Sequence, residues 1–354
     1  MAEIAGEELK ILSIDHHGLI AAVCKDLKIA EKINEKLVVN KQGVINPGQA
    51  VVAMILNGLG FTNRRLYLTH QFFQNKPVDR LLENDSITSK DLTDYTLSHT
   101  LDEIHQYGTS KLFGEIAFSI AIEHKLLGNL NYLDTTSLSV VKGDYKNNEL
   151  NGNDVEPKTI HITYGHSKDH RSDLKQAVLS LVVNGPSATP IWMDALDGNS
   201  SDKKSFHETI KKVQEFKKQI NLEKDFKWIA DSALYTKDKL LKEKNYYWLT
   251  RVPETIKEAK DIINKKNDLI NWELKDNGYK TFNFISNYGD VKQRWQLIFS
   301  QQAYTKEVAT FEKNLDKKSK ELTIKVKRLN KKTFYNKQEI ELIIKELNKN
   351  YKEV

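Results

Sequence analysis

The chain has 354 residues, 39% hydrophobic and 29% charged, with a net charge of +6 and a pI near 8.9. This composition excludes disordered and collagen-like classes and, at roughly 100–200 residues per domain, leaves room for two or three domains with sizeable cores. One cysteine, Cys24, excludes a disulfide framework and any multi-cysteine zinc or iron–sulfur site. The opening residues lack a signal-peptide pattern, and no apolar run nears the ~18 residues of a membrane helix, so no membrane partner is expected and the expected compartment is a reducing cytoplasm.

Residues 17–37 carry Leu19, Val23, Leu27 and Ile33 near helical spacing, with Asp15 as the expected N-cap. Pro47-Gly48 opens a second helix that stops at Gly58 and Gly60. Two more helices are expected over 89–107 and 111–126, capped by Thr88 and Ser110, and the helical region ends near residue 130. The pattern then changes to alternation and β-branched residues. Strands are expected at 131–141, 158–164, 175–184 and 189–195, with a turn at Asn184-Gly185-Pro186. A helix over 202–219, a strand at 226–231, a helix at 236–243 and a strand at 245–250 follow. An antiparallel start followed by alternating helix and strand implies a mixed sheet in an α/β fold. Short strands are expected at 270–275, 280–287 and 293–301. Residues 305–354 form a Lys-rich helical pattern with a break at 330–334, and their 14 Lys/Arg against 8 Asp/Glu equal the charge excess of the whole chain.

Two aspartates carry the chemical reading. Asp134 lies inside a strand-like run, where a carboxylate is costly to desolvate unless it is paired or holds a metal; an aspartate on an edge strand facing water is the plainer alternative. Asp231 ends the strand-like run Trp228-Ile229-Ala230, and strand C-terminal ends in open α/β sheets are where ligands sit; its plainer role is a helix N-cap or turn. In a sheet that starts as a meander and adds a crossover strand, the first strand can neighbour the crossover strand, which sets the two aspartates side by side. Two adjacent carboxylates share a proton or bind a divalent cation. Oxygen ligands favour Mg²⁺ or Mn²⁺, and paired ions of this kind support in-line attack at a phosphodiester.

Other groups are weaker signals. His161, His166 and His170 cluster with Asp169 and Asp173, at spacings that match no compact zinc motif. Lys168, His170, Arg171 and Lys175 read as a basic loop near phosphates or as a solvated turn. Asp197-Gly198-Asn199 reads as a turn with a helix cap, and His16-His17 as a helix start. Arg64 and Arg65, near Tyr67, Phe72 and Phe73, are candidates for DNA phosphate contacts. In the tail, Phe311, Leu315, Leu322, Val326 and Leu329 form an apolar stripe, read either as a helix-pairing face or as part of a salt-sensitive DNA-contacting arm.

The segments LDTTSLSVV, GHSKDHRSDLKQAVLSLVVNG, PIWMDALDGNSSDKKSFHETI, IADSALYT and YYWLTRVPE resemble transposases of bacterial insertion sequences. The class is the DDE transposases; the branch is the insertion-sequence-four superfamily, most like its sixteen-thirty-four group. The N-terminal segments IDHHGLIAAVCKDLKIAEKIN and PGQAVVAMILNGLGFTNRRLYLTHQFF resemble the helical domain that precedes the catalytic domain there. The resemblance spans residue 10 to about 325. It implies a helical domain over 1–128 that binds DNA ends and an RNase H-like catalytic core over 129–253. The start of a β-rich insertion would occupy 254–304 and a basic helical segment 305–354. Asp134 matches the first catalytic and metal-binding aspartate and Asp231 the second. The family's third acid is a glutamate in a Tyr-x2-Arg-x3-Glu-x6-Lys pattern. Glu254 stands too early for it, and Glu341, after Tyr335, lacks the arginine and the lysine. The expectation is therefore a truncated product with two of its three acids, a transposase by descent and inactive by itself. The resemblance further implies a Mg²⁺ or Mn²⁺ cofactor, double-stranded DNA as terminal repeats and target, a homodimer, and a place in the cytoplasm at the nucleoid. The alternative is a non-catalytic DNA-binding or dimerising fragment that regulates a full-length copy.

Overall fold

The computed structural model describes residues 11–38, 43–60, 64–143, 145, 159–235, 246–265, 269–275 and 278–352. The expected helix at 236–243 lies outside the described residues. The chain divides into two compact units, Met1–Val252 and Pro253–Val354.

The first unit begins with helices α1 (His17–Asp26), α2 (Ile29–Asn34) and α3 (Pro47–Gly58). The single expected helix over 17–37 is broken at Lys28, whose φ of 53° is left-handed. Asp15 is not the cap of α1; its carboxylate accepts from Ser13 Oγ and pairs with Lys76 at 3.2 Å. Asn46 and Gln49 form a capping box at the start of α3, with Pro47 in the first turn. Short helices α4 (Thr69–Phe72) and α5 (Val78–Leu81) lead to α6 (Asp94–Tyr107) and α7 (Thr109–Glu123). Thr88 caps only a short 3-10 turn, and Thr93 caps α6. Gly108 precedes α7 at φ 102°, which leaves the Ser110 hydroxyl free for a longer-range bond described below. Leu56, Phe73, Leu92 and Leu97 centre the helical core.

The sheet follows. Strands β1 (Leu130–Val140), β2 (Lys175–Gly185) and β3 (Thr189–Leu196) form an antiparallel meander. Helix α8 (Asp202–Gln219) then crosses to β4 (Lys227–Ala230), and β5 (Tyr247–Thr250) comes last. The strand order is β3-β2-β1-β4-β5, with β4 parallel to β1 and β5 parallel to β4. That is the RNase H-like arrangement. The expected strand at 158–164 shrinks to one bridge, Thr163 to Gln176. The chain there turns to pack on residues 197–198 instead of running along β2. A Cβ on Gly165 would stand 2.0 Å from the Gly198 carbonyl oxygen, so only glycine permits the approach.

One face of the sheet is covered. Phe118 of α7 and Phe206, Ile210, Val213 and Phe216 of α8 pack on Leu133, Val182, Ile191, Trp192 and Trp228. Each such side chain contributes roughly 1.5–3 kcal/mol on burial. Gly114 lets α7 approach the sheet, since a Cβ there would meet the Trp192 ring at 2.7 Å.

The second unit holds α9 (Lys257–Ile263), then the meander β6 (Glu273–Leu274), β7 (Tyr279–Ser286) and β8 (Gln293–Ser300). The strand expected at 270–275 is only two residues long. Helix α10 (Gln301–Leu329), capped by Ser300, and α11 (Lys337–Asn350), capped by Asn336, flank the break expected at 330–334.

Candidate active site

Strand β1 alternates strictly. Asn131, Leu133, Thr135 and Ser137 are buried under the helices, while Tyr132, Asp134, Thr136 and Leu138 are exposed. Asp134 is thus in a central strand, between β2 and β4, yet its side chain is 80% exposed. The desolvation cost feared for a central-strand carboxylate does not arise, because this residue lies on the open face.

The register of β1 with β4 brings the second aspartate to the same place. The parallel ladder pairs Tyr132 with Ile229 and Leu133 with Ala230. Asp134 and Asp231 are the next residues on either side. Ala230 ends β4, but Asp231 keeps an extended backbone, φ −70° and ψ −174°, so the alternation continues through it. Asp231 is exposed and falls on the face of Ile229, as Asp134 falls on the face of Tyr132. Adjacent strands lie about 4.8 Å apart, which sets the backbone separation at this point. Asp231 also fills its plainer role, since its Oδ1 accepts from the Ala233 N–H at 2.8 Å and so caps the 3-10 turn Ser232–Leu234. The Thr250 hydroxyl at the end of β5 donates to the Asp231 carbonyl and ties the third strand end to the second.

Lys168 reaches this point. Its Nζ lies 3.2 Å from Asp134 Oδ1 and also donates to the Thr135 carbonyl, while its backbone N–H donates to Ser137 Oγ at 3.1 Å. The Thr135 N–H donates to the same Asp134 oxygen at 2.8 Å. The loop that carries Lys168 is fixed from behind. Gln176 Nε2 donates to the Gly198 carbonyl at 2.8 Å, the His161 N–H to Asp197 Oδ1 at 2.8 Å, and the Gly198 N–H to the His161 carbonyl at 2.9 Å.

The other basic candidates do not join the pair. Arg171 makes two bonds to Asp173, at 2.9 and 2.8 Å; that contact holds the Asp173 carboxyl below its ordinary range and raises Arg171. Lys175 pairs with Val140 at the far end of β1, six positions from Asp134 or about 20 Å along the strand, and its Nζ donates to the Tyr145 carbonyl at 3.1 Å. Arg64 and Arg65 lie between α3 and α4. The Arg64 backbone is clamped by the Asn57 side chain at 2.8 Å, and Arg65 reaches the Tyr67 hydroxyl at 3.4 Å, leaving both arginines exposed. Among the described residues no three His, Cys, Asp or Glu side chains gather as a metal cluster.

The sequence reading passed over Asp194. It sits on β3 on the covered face, 3% exposed. Its Oδ1 accepts from Ser110 Oγ at 2.7 Å and pairs with Lys212 at 3.2 Å, and its Oδ2 accepts from Trp192 Nε1 at 3.2 Å and Thr209 Oγ1 at 3.4 Å. With four donors supplied by the chain, it has a structural and not a ligand-binding environment. Its signal in the sequence was a carboxylate at an inward position of a strand.

A domain of unknown function, DUF4277, matches residues 9–118. No curated protein matches the chain. Among solved structures the chain is similar to the Mos1 transposase paired-end complex with left transposon end, at 12% identity, 58% of each chain and a TM-score of 0.23. It is similar to the Mos1 strand transfer complex at 12% identity, 58% of each chain and 0.22. It is also similar to a piggyBac transposase synaptic complex with hairpin DNA, at 11% identity, 78% of this chain, 60% of that one and 0.32. The chain spans 58% of the length of the first two.

Proposed function

We propose that the chain is a DDE-type transposase of an insertion sequence, acting on DNA by phosphodiester cleavage and strand transfer. The observation that carries this reading is the β1–β4 register, which sets Asp134 and Asp231 at neighbouring positions on the open face of an RNase H-like sheet. The resemblance of five ordered segments to such transposases supports it, and so does the match of these two aspartates to the family's first two acids.

The donor set fits a hard cation. Both groups are carboxylates on an exposed face, and Mg²⁺ is commonly held by one or two carboxylates together with water and substrate phosphate. Bound there, Mg²⁺ or Mn²⁺ supplies Lewis-acid stabilisation of charge developing on the phosphate oxygens. Asp134 and Asp231 hold and orient the ion from two different strands. Lys168 balances the Asp134 charge and, on its glycine-locked loop, is placed to meet a phosphate of the bound strand. Arg171 and Lys175 extend the basic surface beyond the pair, and Arg64 and Arg65 belong to a helical end-binding domain. A water, then a freed 3′-hydroxyl, attacks phosphorus, and the departing 3′-oxygen takes the electron pair of the broken P–O bond.

The test is Mg²⁺-dependent cleavage of a labelled duplex carrying the element's own terminal repeat, with Asp134→Ala and Asp231→Ala beside wild type. Cleavage by wild type and its loss in both variants means a complete site, with the third acid supplied by this chain or by a partner. Repeat binding in a gel shift with no cleavage by wild type makes the chain a DNA-binding regulator instead. The absence of both binding and cleavage overturns the proposal.

A further inference from the structure

Lys168 is attached to the molecule in two different ways. Its backbone is fixed. The N–H donates to Ser137 Oγ at 3.1 Å, and Gln176 Nε2 ties the loop down through the His166 carbonyl at 3.3 Å and the Gly198 carbonyl at 2.8 Å. Its ammonium is held more loosely. It donates to the Thr135 carbonyl and stands 3.2 Å from Asp134 Oδ1, in an ion pair whose side chains are 39% and 80% exposed. A pair this open contributes little to stability, and a flexible four-carbon stem separates the ammonium from the anchored backbone. The charge can therefore change partners while the loop stays in place.

Its present position bears on cation binding. The parallel ladder of β1 and β4 stops at Leu133 and Ala230, and both aspartates follow it directly. Each aspartate commits one oxygen to the chain. Asp134 Oδ1 takes the Thr135 N–H and the Lys168 ammonium, and Asp231 Oδ1 takes the Ala233 N–H. Among the described residues no donor reaches the second oxygen of either. The two carboxylates carry two negative charges, and Lys168 offsets one of them at contact distance. A divalent cation on the pair meets that ammonium across a few ångströms, a repulsion that solvent and salt reduce without abolishing. A DNA phosphate offers the same ammonium a charge-assisted bond elsewhere, and the repulsion then falls.

We propose that Lys168 is a positioning residue shared between Asp134 and the DNA backbone, so that it opposes divalent-cation binding at the pair until a strand phosphate draws its ammonium away. This rests on the reading of Asp134 and Asp231 as the cation-holding pair. It makes DNA binding and cation binding favour one another, and such coupling is reciprocal. The experiment measures each ligand without the other, on the full chain. Free Mn²⁺ is followed by electron paramagnetic resonance with no DNA present, and a short fluorescein-labelled duplex by anisotropy in EDTA. Lys168→Gln should bind Mn²⁺ about three- to tenfold more tightly than wild type. The same variant should bind the duplex more weakly, with the slope of log K against log salt reduced by about 0.9. A residue that merely shaped the loop would lower both affinities or neither. Lys168→Arg keeps the cation and should not gain Mn²⁺ affinity, and Lys211→Gln, an exposed position on α8, should not gain it either. Adding Asp134→Asn to Lys168→Gln should abolish the gain. Equal Mn²⁺ affinity in wild type and Lys168→Gln overturns this proposal alone, as does an unchanged duplex affinity and salt slope. A gain that survives Asp134→Asn, or that Lys211→Gln reproduces, overturns it as well. Absence of Mn²⁺ binding in both wild type and Lys168→Gln overturns it together with the reading of the aspartate pair.

Discussion

Asp134 and Asp194 occupy the same five-stranded sheet, two strands apart and on opposite faces. Asp194 is buried under α7 and α8 and accepts from four side-chain donors drawn from α7, β3 and α8. Asp134 is open to solvent and meets one ammonium and one backbone N–H. A carboxylate whose lone pairs are all met by the chain has nothing left for a ligand. One with spare oxygens beside a second carboxylate is available for chemistry. On the proposed reading the chain uses one residue type for two ends, and the face of the sheet decides which.

The comparison breaks most readily at Asp134. Asp134→Asn and Asp231→Asn should each lower repeat cleavage at least about a thousandfold while shifting unfolding free energy by no more than about 0.5 kcal/mol. A urea titration showing a large loss of stability would place Asp134 in the same class as Asp194. Asp194→Ala should do the reverse, costing about 1–3 kcal/mol because the buried Trp192 N–H and Thr209 hydroxyl lose their acceptor, as read by the urea midpoint. Next comes the loop behind Lys168. A Cβ on Gly198 would stand 2.0 Å from the Gln176 carbonyl oxygen and 2.5 Å from that of Thr163. Gly198→Ala should therefore cost about 1–3 kcal/mol and weaken repeat binding more than Gly58→Ala, where a Cβ meets nothing.

The smallest effect concerns a buried base. His17 is 2% exposed, and burial pushes its imidazole below its ordinary 6.5. A folded-state value below the unfolded one gives stability that is present above pH 6.5. That stability is lost as pH falls toward the folded value, since the unfolded chain takes up the proton first. Urea midpoints of wild type should drop below pH 6.5, and those of His17→Leu should drop less. Equal acid sensitivity in the two would remove His17 from the account.

The sheet was legible because its strands carry period-two patterns and its helix α8 a 3.6-residue one. The neighbouring aspartates were legible because both end or interrupt apolar runs, and the order of elements allowed β1 to lie beside the crossover strand. The break at Lys28 was not legible, since a lysine in the left-handed region leaves no sign in composition. The strand expected near 158–164 failed because Gly165 and Gly198 favour a backbone-to-backbone approach over strand pairing, a long-range contact that periodicity does not register. Asp194 was passed over for the same reason: Ser110 and Lys212 identify its role, and they stand far from it in sequence.

The β1–β4 ladder also has a temporal side. Asp134 and Asp231 are separated by about a hundred residues of chain, and their meeting requires closure of that whole segment, which costs entropy before any contact repays it. The meander around Asp134 pairs over shorter distances and can assemble first, during synthesis, before β4 has left the ribosome. The two-carboxylate arrangement thus comes into being only when folding of the sheet is finished, so a half-made chain carries one acid and no pair.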